Sequence, residues 1–126
     1  MSRILVIDDD LDVAQSLVAL LRDMEHVVDF AVSGRAAFRL ARSFVPQIAL
    51  LDIGLPDADG WTLARALRLE PGLQSLRVFA ITGRPSEDDR RRAVAAGCEA
   101  YLPKPLDLDH VTSLINLSSR PRTQHG

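Results

Sequence analysis

The stretch ILVIDDD at residues 4–10 runs four aliphatic side chains straight into three consecutive aspartates, Asp8, Asp9 and Asp10. Carboxylates held side by side repel, and each resists losing its water, so an uncompensated cluster costs stability or raises the pKa values of its members. A second apolar run, IALL at 48–51, also ends on an acid, Asp52. A third, FAI at 79–81, ends on Thr82, and the short run at 101–102 leads past Pro103 to Lys104. Hard divalent cations such as Mg²⁺ take oxygen ligands, usually carboxylates together with water and a phosphate. A carboxylate beside such an ion can act as a nucleophile and form an aspartyl phosphate. An ammonium and a hydroxyl close by would help to stabilise the charged oxygens of the transferring group. Asp52 is the natural nucleophile, because the apolar run before it places it at the end of a rigid strand.

These residues can meet only if the runs that precede them are neighbours in one sheet. Short aliphatic or β-branched runs alternate with helix-period segments, the pattern of a parallel sheet covered on both faces. Strands are expected near 3–7, 26–31, 47–51, 77–81 and 100–102, and helices near 11–24, 34–43, 61–69, 87–96 and 108–117. Val13, Leu17, Leu20, Leu21 and Met24 form one apolar stripe on the first helix. Ser33 can cap the second helix; Ser86 with Asp89 reads as a capping box for the fourth, and Gly97 as its stop. In an open parallel sheet, ligands bind outside the carboxyl ends of the strands, where Asp8, Asp9, Asp52, Thr82 and Lys104 all fall. The second strand ends in Val32 and Ser33 and offers nothing titratable, which suits an edge position in the order 2-1-3-4-5. The expected fold is α/β, a flavodoxin-like doubly wound (βα)5 domain with a five-stranded parallel sheet.

At 126 residues the chain fits one domain that buries roughly two thirds of its unfolded surface without disulfides. We expect the domain to span 1–118, followed by a flexible tail or linker stub at 119–126, and nothing after 117 to form a DNA-binding domain. A net charge of -2 argues against a general nucleic-acid or anionic-membrane surface. The lone Cys98 and the absence of a leader or spanning segment point to the cytoplasm. Of the 15 basic residues Lys104 is the sole lysine, so an arginine bias does not account for it.

The pieces VIDDD, LLDIGLPDADG, ITG and YLPKP, in this order and at strand ends, resemble the receiver domain of two-component response regulators over about residues 3–117. The resemblance implies that Asp8 and Asp9 hold Mg²⁺, with Mn²⁺ as an alternative, together with Asp52 and the backbone carbonyl of Gly54. It implies that Asp52 accepts a phosphoryl group, that Thr82 is the switch hydroxyl and that Lys104 pairs with the phosphoryl group. Tyr101 resembles the aromatic whose rotation reports the switch, and Lys104–Pro105 the family's cis peptide bond. Gly54 and Gly83 replace positions that usually carry a side chain, a change expected to alter rates rather than reaction type.

The implied function is that of a phosphoacceptor in a His–Asp phosphorelay. Such a domain assists its own phosphorylation and dephosphorylation but is not otherwise an enzyme. The donor would be a histidine kinase or histidine phosphotransfer domain. The downstream partner is expected on the fourth helix, fifth strand and fifth helix, with no direct contact to nucleic acid or membrane. A phosphorylation-dependent homodimer is left open, as is membership of a larger protein such as a hybrid kinase. The rivals are an interaction module that never uses phosphate and a Mg²⁺-dependent phosphohydrolase; the latter lacks a second acid two residues after Asp52. The missing GxGxxG and GxxxxGK[ST] motifs disfavour nucleotide binding.

Other polar residues have plainer readings. Asp10 caps the first helix and Asp12 complements its dipole; Asp57 and Asp59 are turn formers. The DDRRR run at 88–92 is a solvated helix face before it is a partner surface. His26, His110 and His125 lack metal-ligand spacing, Cys98 packs beside Gly97, and Trp61 covers the start of the third helix.

Overall fold

The computed structural model describes residues 1–118; the tail expected at 119–126, with His125, lies outside the described residues. Ten elements alternate in order: β1 (Arg3–Ile7), α1 (Leu11–Asp23), β2 (Val27–Ala31), α2 (Gly34–Phe44), β3 (Ile48–Asp52), α3 (Gly60–Leu69), β4 (Arg77–Thr82), α4 (Glu87–Ala95), β5 (Ala100–Pro103) and α5 (Leu108–Ser118). The strands are parallel and lie in the order β2-β1-β3-β4-β5. This is the doubly wound flavodoxin-like arrangement that the alternating pattern predicts. No helix among the described residues is long and apolar enough to cross a membrane.

Strand alternation divides the core in two. Ile4, Val6, Ile48, Leu50, Phe79 and Ile81 point to one face of the sheet, where they meet Ala14, Leu17, Val18 and Leu21 of α1 and Val111 and Ile115 of α5. Leu5, Ile7, Ala49, Leu51, Val78 and Ala80 point to the other, against Ala37 and Ala41 of α2 and Leu63, Ala64 and Leu67 of α3. All five residues of β3 are buried, as its central place requires. The fourth helix is held more lightly, with Ala93 its sole buried residue.

The element ends follow local chemistry. Asp10, Ser33, Asp59 and Ser86 each accept a backbone N–H from the first turn of the helix they precede. Asp59 is therefore the cap of α3, which starts at Gly60, a residue earlier than the sequence pattern predicts. The capping box expected at α4 is half made: Ser86 Oγ accepts from the Asp89 amide, while the Ser86 amide donates to Tyr101 Oη instead. After α1, Glu25 takes a left-handed conformation with φ 69°. The Glu25 and His26 amides then fold back onto the Arg22 and Leu21 carbonyls, and pairing with β1 begins at Val27 rather than residue 26. His26 Nδ1 accepts the Ser2 amide at 3.0 Å, a packing role.

The C-cap of α2 is Val45 at φ 50°, a left-handed position that suits glycine and penalises a β-branched side chain. Val45 is exposed, so its side chain contributes little packing in return. Val45→Gly is therefore expected to raise stability by about 1 kcal/mol in urea unfolding. Phe79→Ala, which empties a fully buried site in a central strand, should lower it by about 3–5 kcal/mol in the same measurement.

Candidate functional site

Strand β1 pairs with β2 on one side and β3 on the other. The connections leaving β1 and β3 therefore diverge, and a crevice opens at the carboxyl ends of these two strands. Asp8 follows β1 directly and Asp52 is the last residue of β3. One carboxylate oxygen from each of Asp8, Asp9 and Asp52 lies within 4.8 Å of the other two. Asp8 and Asp52 are buried and Asp9 is exposed, so the cluster has two fixed members and one facing solvent.

Lys104 supplies the compensating charge. Its Nζ lies 3.0 Å from Asp52 Oδ2 and 3.2 Å from Asp8 Oδ2, bridging two strands that would otherwise hold like charges together. The residue is placed by β5: its amide donates to the Thr82 carbonyl at 2.8 Å, and its peptide bond to Pro105 is cis. Burial pushes the Asp8 carboxyl above its ordinary value and the Asp52 charge adds to this, while the Asp10 amide and Lys104 pull less strongly the other way. Partial burial disfavours the Lys104 ammonium, yet hydrogen bonds and charges from Asp52 and Asp8 outweigh it and raise its pKa. One ammonium facing three carboxylates leaves a net negative pocket of oxygen donors, a donor set suited to a hard divalent cation.

The remaining sequence-selected residues lie at differing distances from this cluster. Gly54 is exposed, and its amide donates to Asp52 Oδ1 at 2.9 Å. Thr82 closes β4, the strand beside β3, and is buried; its Oγ1 accepts the Arg84 amide at 3.0 Å in a local turn. A Cβ at Gly83 would meet nothing within 4 Å, so the loop after Thr82 is open. Tyr101 contacts α3 and the start of α4. Its ring lies 6.3 Å from that of Trp61, Arg90 sits over it at 5.5 Å, and its Oη accepts the Ser86 amide at 3.2 Å.

Trp61 is buried, and Cys98 packs against the core, where burial pushes its thiol up to about 11. His110 is exposed at α5, and the DDRRR run is largely exposed, with an Arg92–Asp88 pair one turn apart.

Asp57 differs from its sequence reading. It is not merely a turn former: Oδ1 and Oδ2 accept the Gly34 and Arg35 amides at the start of α2, at 2.8 and 3.1 Å. These bonds hold its carboxyl below the usual range. No local signal marks this role, because donor and acceptor are more than twenty residues apart in sequence.

Residues 4–116 match the family described as response regulator receiver domain. Over 119 residues the chain is 33% identical to a response regulator of Synechocystis, covering 93% of this chain and 52% of that protein. It is 34% identical over 120 residues to the virulence transcriptional regulatory protein PhoP of Salmonella typhimurium, with coverages of 95% and 53%. The chain thus spans about half the length of these curated relatives. A two-component response regulator from Clostridium difficile superposes with a TM-score of 0.89 at 27% identity, over 98% of this chain and 100% of that one.

Removing Lys104 would leave Asp8 and Asp52 facing each other without a cation. Lys104→Met is expected to cost about 1–3 kcal/mol in urea unfolding with chelator present, a range lowered because the lysine is partly exposed. Adding Asp52→Asn should recover much of that loss, which a double-mutant cycle measures directly.

Proposed function

The chain belongs to the response regulator receiver domain family, and from that premise we propose that residues 1–118 form the phosphoacceptor module of a His–Asp phosphorelay, with Asp52 the residue phosphorylated. The observation that carries this reading is Lys104 bridging Asp8 and Asp52 at the switch point of the sheet. A structural salt bridge needs one carboxylate. Two buried acids, a third at the rim and a single lysine form a site prepared for a cation and a phosphoryl group.

The oxygen donors fit Mg²⁺, with Mn²⁺ as an alternative: Asp8, Asp9, Asp52 and the Gly54 carbonyl would hold it. When bound, it would neutralise the carboxylates and stabilise negative charge on the phosphoryl oxygens. An Asp52 oxygen attacks the phosphorus; the O–P bond forms as the N–P bond to the donor imidazole breaks. Lys104 remains within reach of the Asp52 carboxylate and pairs with the phosphoryl oxygens once they are attached there. The Thr82 hydroxyl turns from the Arg84 amide toward the new charge, leaving space that Tyr101 can enter. Such movement withdraws Tyr101 Oη from the Ser86 amide and loosens the N-terminus of α4, which is anchored by so little buried surface. Output is then a population shift of the face formed by α4, β5 and α5, read by a downstream partner.

The donor in this reading is a histidine kinase or histidine phosphotransfer domain in the cytoplasm. A mostly apolar groove of about 570 Å³ opens beside Lys104, lined in part by Val13, Leu17, Leu106 and Leu108. It offers a donor helix a surface adjoining the nucleophile.

Intact mass after incubation with Mg²⁺ and acetyl phosphate tests the proposal. One added phosphoryl group is expected, abolished by Asp52→Asn and by removal of metal. Mg²⁺ binding without phosphorylation would overturn it in favour of a phosphate-independent interaction module.

A further inference from the structure

The loop that leaves the carboxylate cluster is pinned to a neighbouring helix. Asp57 lies three residues beyond Gly54, and both of its oxygens are engaged by α2: the Gly34 amide at 2.8 Å and the Arg35 amide at 3.1 Å. These amides have no acceptor within their own helix and lie at its positive end, so a carboxylate is the fitting partner. Packing closes the same contact. A Cβ at Gly34 would stand 2.6 Å from the Ala58 Cβ, and one at Gly60 would stand 2.6 Å from the Ile53 Cα. Glycine at both positions lets the loop lie flat against α2 and the start of α3.

At the cluster end, the Ile53 amide donates to the Ile81 carbonyl at 3.0 Å and the Gly54 amide to Asp52 at 2.9 Å. Leu55 is buried between the two ends. The segment carrying Gly54 is thus tied to the sheet on one side and to α2 on the other, and Asp57 makes the second tie.

We propose that Asp57 is a positioning residue for the cation site, fixing the Gly54 carbonyl against the Asp8, Asp9 and Asp52 carboxylates by holding the β3–α3 loop to the N-terminus of α2. The inference rests on the reading of Gly54 as a ligand given above. It couples cation binding to order at the start of α2, and the coupling is reciprocal. Groups that orient a metal ligand typically contribute about 10–100-fold in affinity. Asp57 is solvent-exposed, which places it at the lower end, about tenfold.

The test is isothermal titration of Mg²⁺ into the full chain as wild type, Asp57→Ala, Asp57→Asn, Ser33→Ala and Asp52→Asn, with circular dichroism to verify folding. Asp57→Ala should bind Mg²⁺ about tenfold more weakly, and Asp57→Asn, which keeps one acceptor oxygen, should fall between. Ser33→Ala removes a hydrogen bond from the same helix end without touching the loop, and should bind as wild type. Mg²⁺ should also slow hydrogen exchange at the Gly34 and Arg35 amides in the wild type and not in Asp57→Ala. Wild-type affinity in Asp57→Ala, or equal weakening by Ser33→Ala, would overturn the role of Asp57 alone. Absence of Mg²⁺ binding in the wild type, or binding unaffected by Asp52→Asn, would overturn the cation site itself and this inference with it.

Discussion

Like charges confined at the ends of adjacent strands set the terms for the rest of this molecule. Asp8 and Asp52 are buried where β1 and β3 end, with Asp9 at the rim beside them. The paired strands cannot move apart without breaking the ladder between them. Their repulsion is instead met by Lys104, delivered from a strand two places farther along the sheet. One ammonium does not balance three carboxylates. The pocket therefore retains a negative field, and on the proposed reading that residual field draws a cation, whose charge together with Lys104 would then favour a phosphoryl group on Asp52.

The helices divide between rigidity and freedom in a way that suits such a site. The sheet and the helices α1, α2 and α3 are bound by extensive apolar burial on both faces, and they hold the carboxylates and the β3–α3 loop. By contrast α4 buries Ala93 and otherwise relies on polar contacts at its start, where Tyr101 accepts the Ser86 amide in place of the second half of a capping box. Low buried area and few anchoring contacts are the physical conditions for a segment that opens at small cost. The open space around Gly83 adjoins the same loop. A charge change at Asp52 could therefore be felt at α4 without disturbing the core, which is the arrangement the proposed switch requires.

Much of this was legible in the amino-acid order. Short continuous apolar runs alternating with period-3.6 segments specify strands and helices locally, and runs such as ILVI and IALL are too apolar to lie anywhere but inside. Once the sheet is parallel and doubly wound, strand ends share one rim, so the convergence of Asp8, Asp9, Asp52 and Lys104 follows from where each run stops. The same logic located the caps at Asp10, Ser33 and Ser86, whose acceptors lie next to the amides they serve. Boundaries slipped by a residue where the geometry of a helix end decided them, as at His26, whose amide is taken by the Leu21 carbonyl at the end of α1.

What tertiary structure alone decided are the contacts between residues far apart in the chain. Asp57 reads as a turn former because it lies in the loop DIGLPDADG, rich in turn-forming residues; its partners are the amides of α2, reached only when the sheet brings that helix and the β3–α3 loop together. The tilted pairing of Trp61 with Tyr101, and the Lys104 bridge to two acids rather than one, likewise depend on which strands are neighbours. Local pattern determines where a segment is buried and where it ends, because those follow from hydrophobicity and backbone hydrogen bonding within a few residues. Which polar groups then satisfy one another is set by proximity across the sheet, and proximity exists only in the folded state.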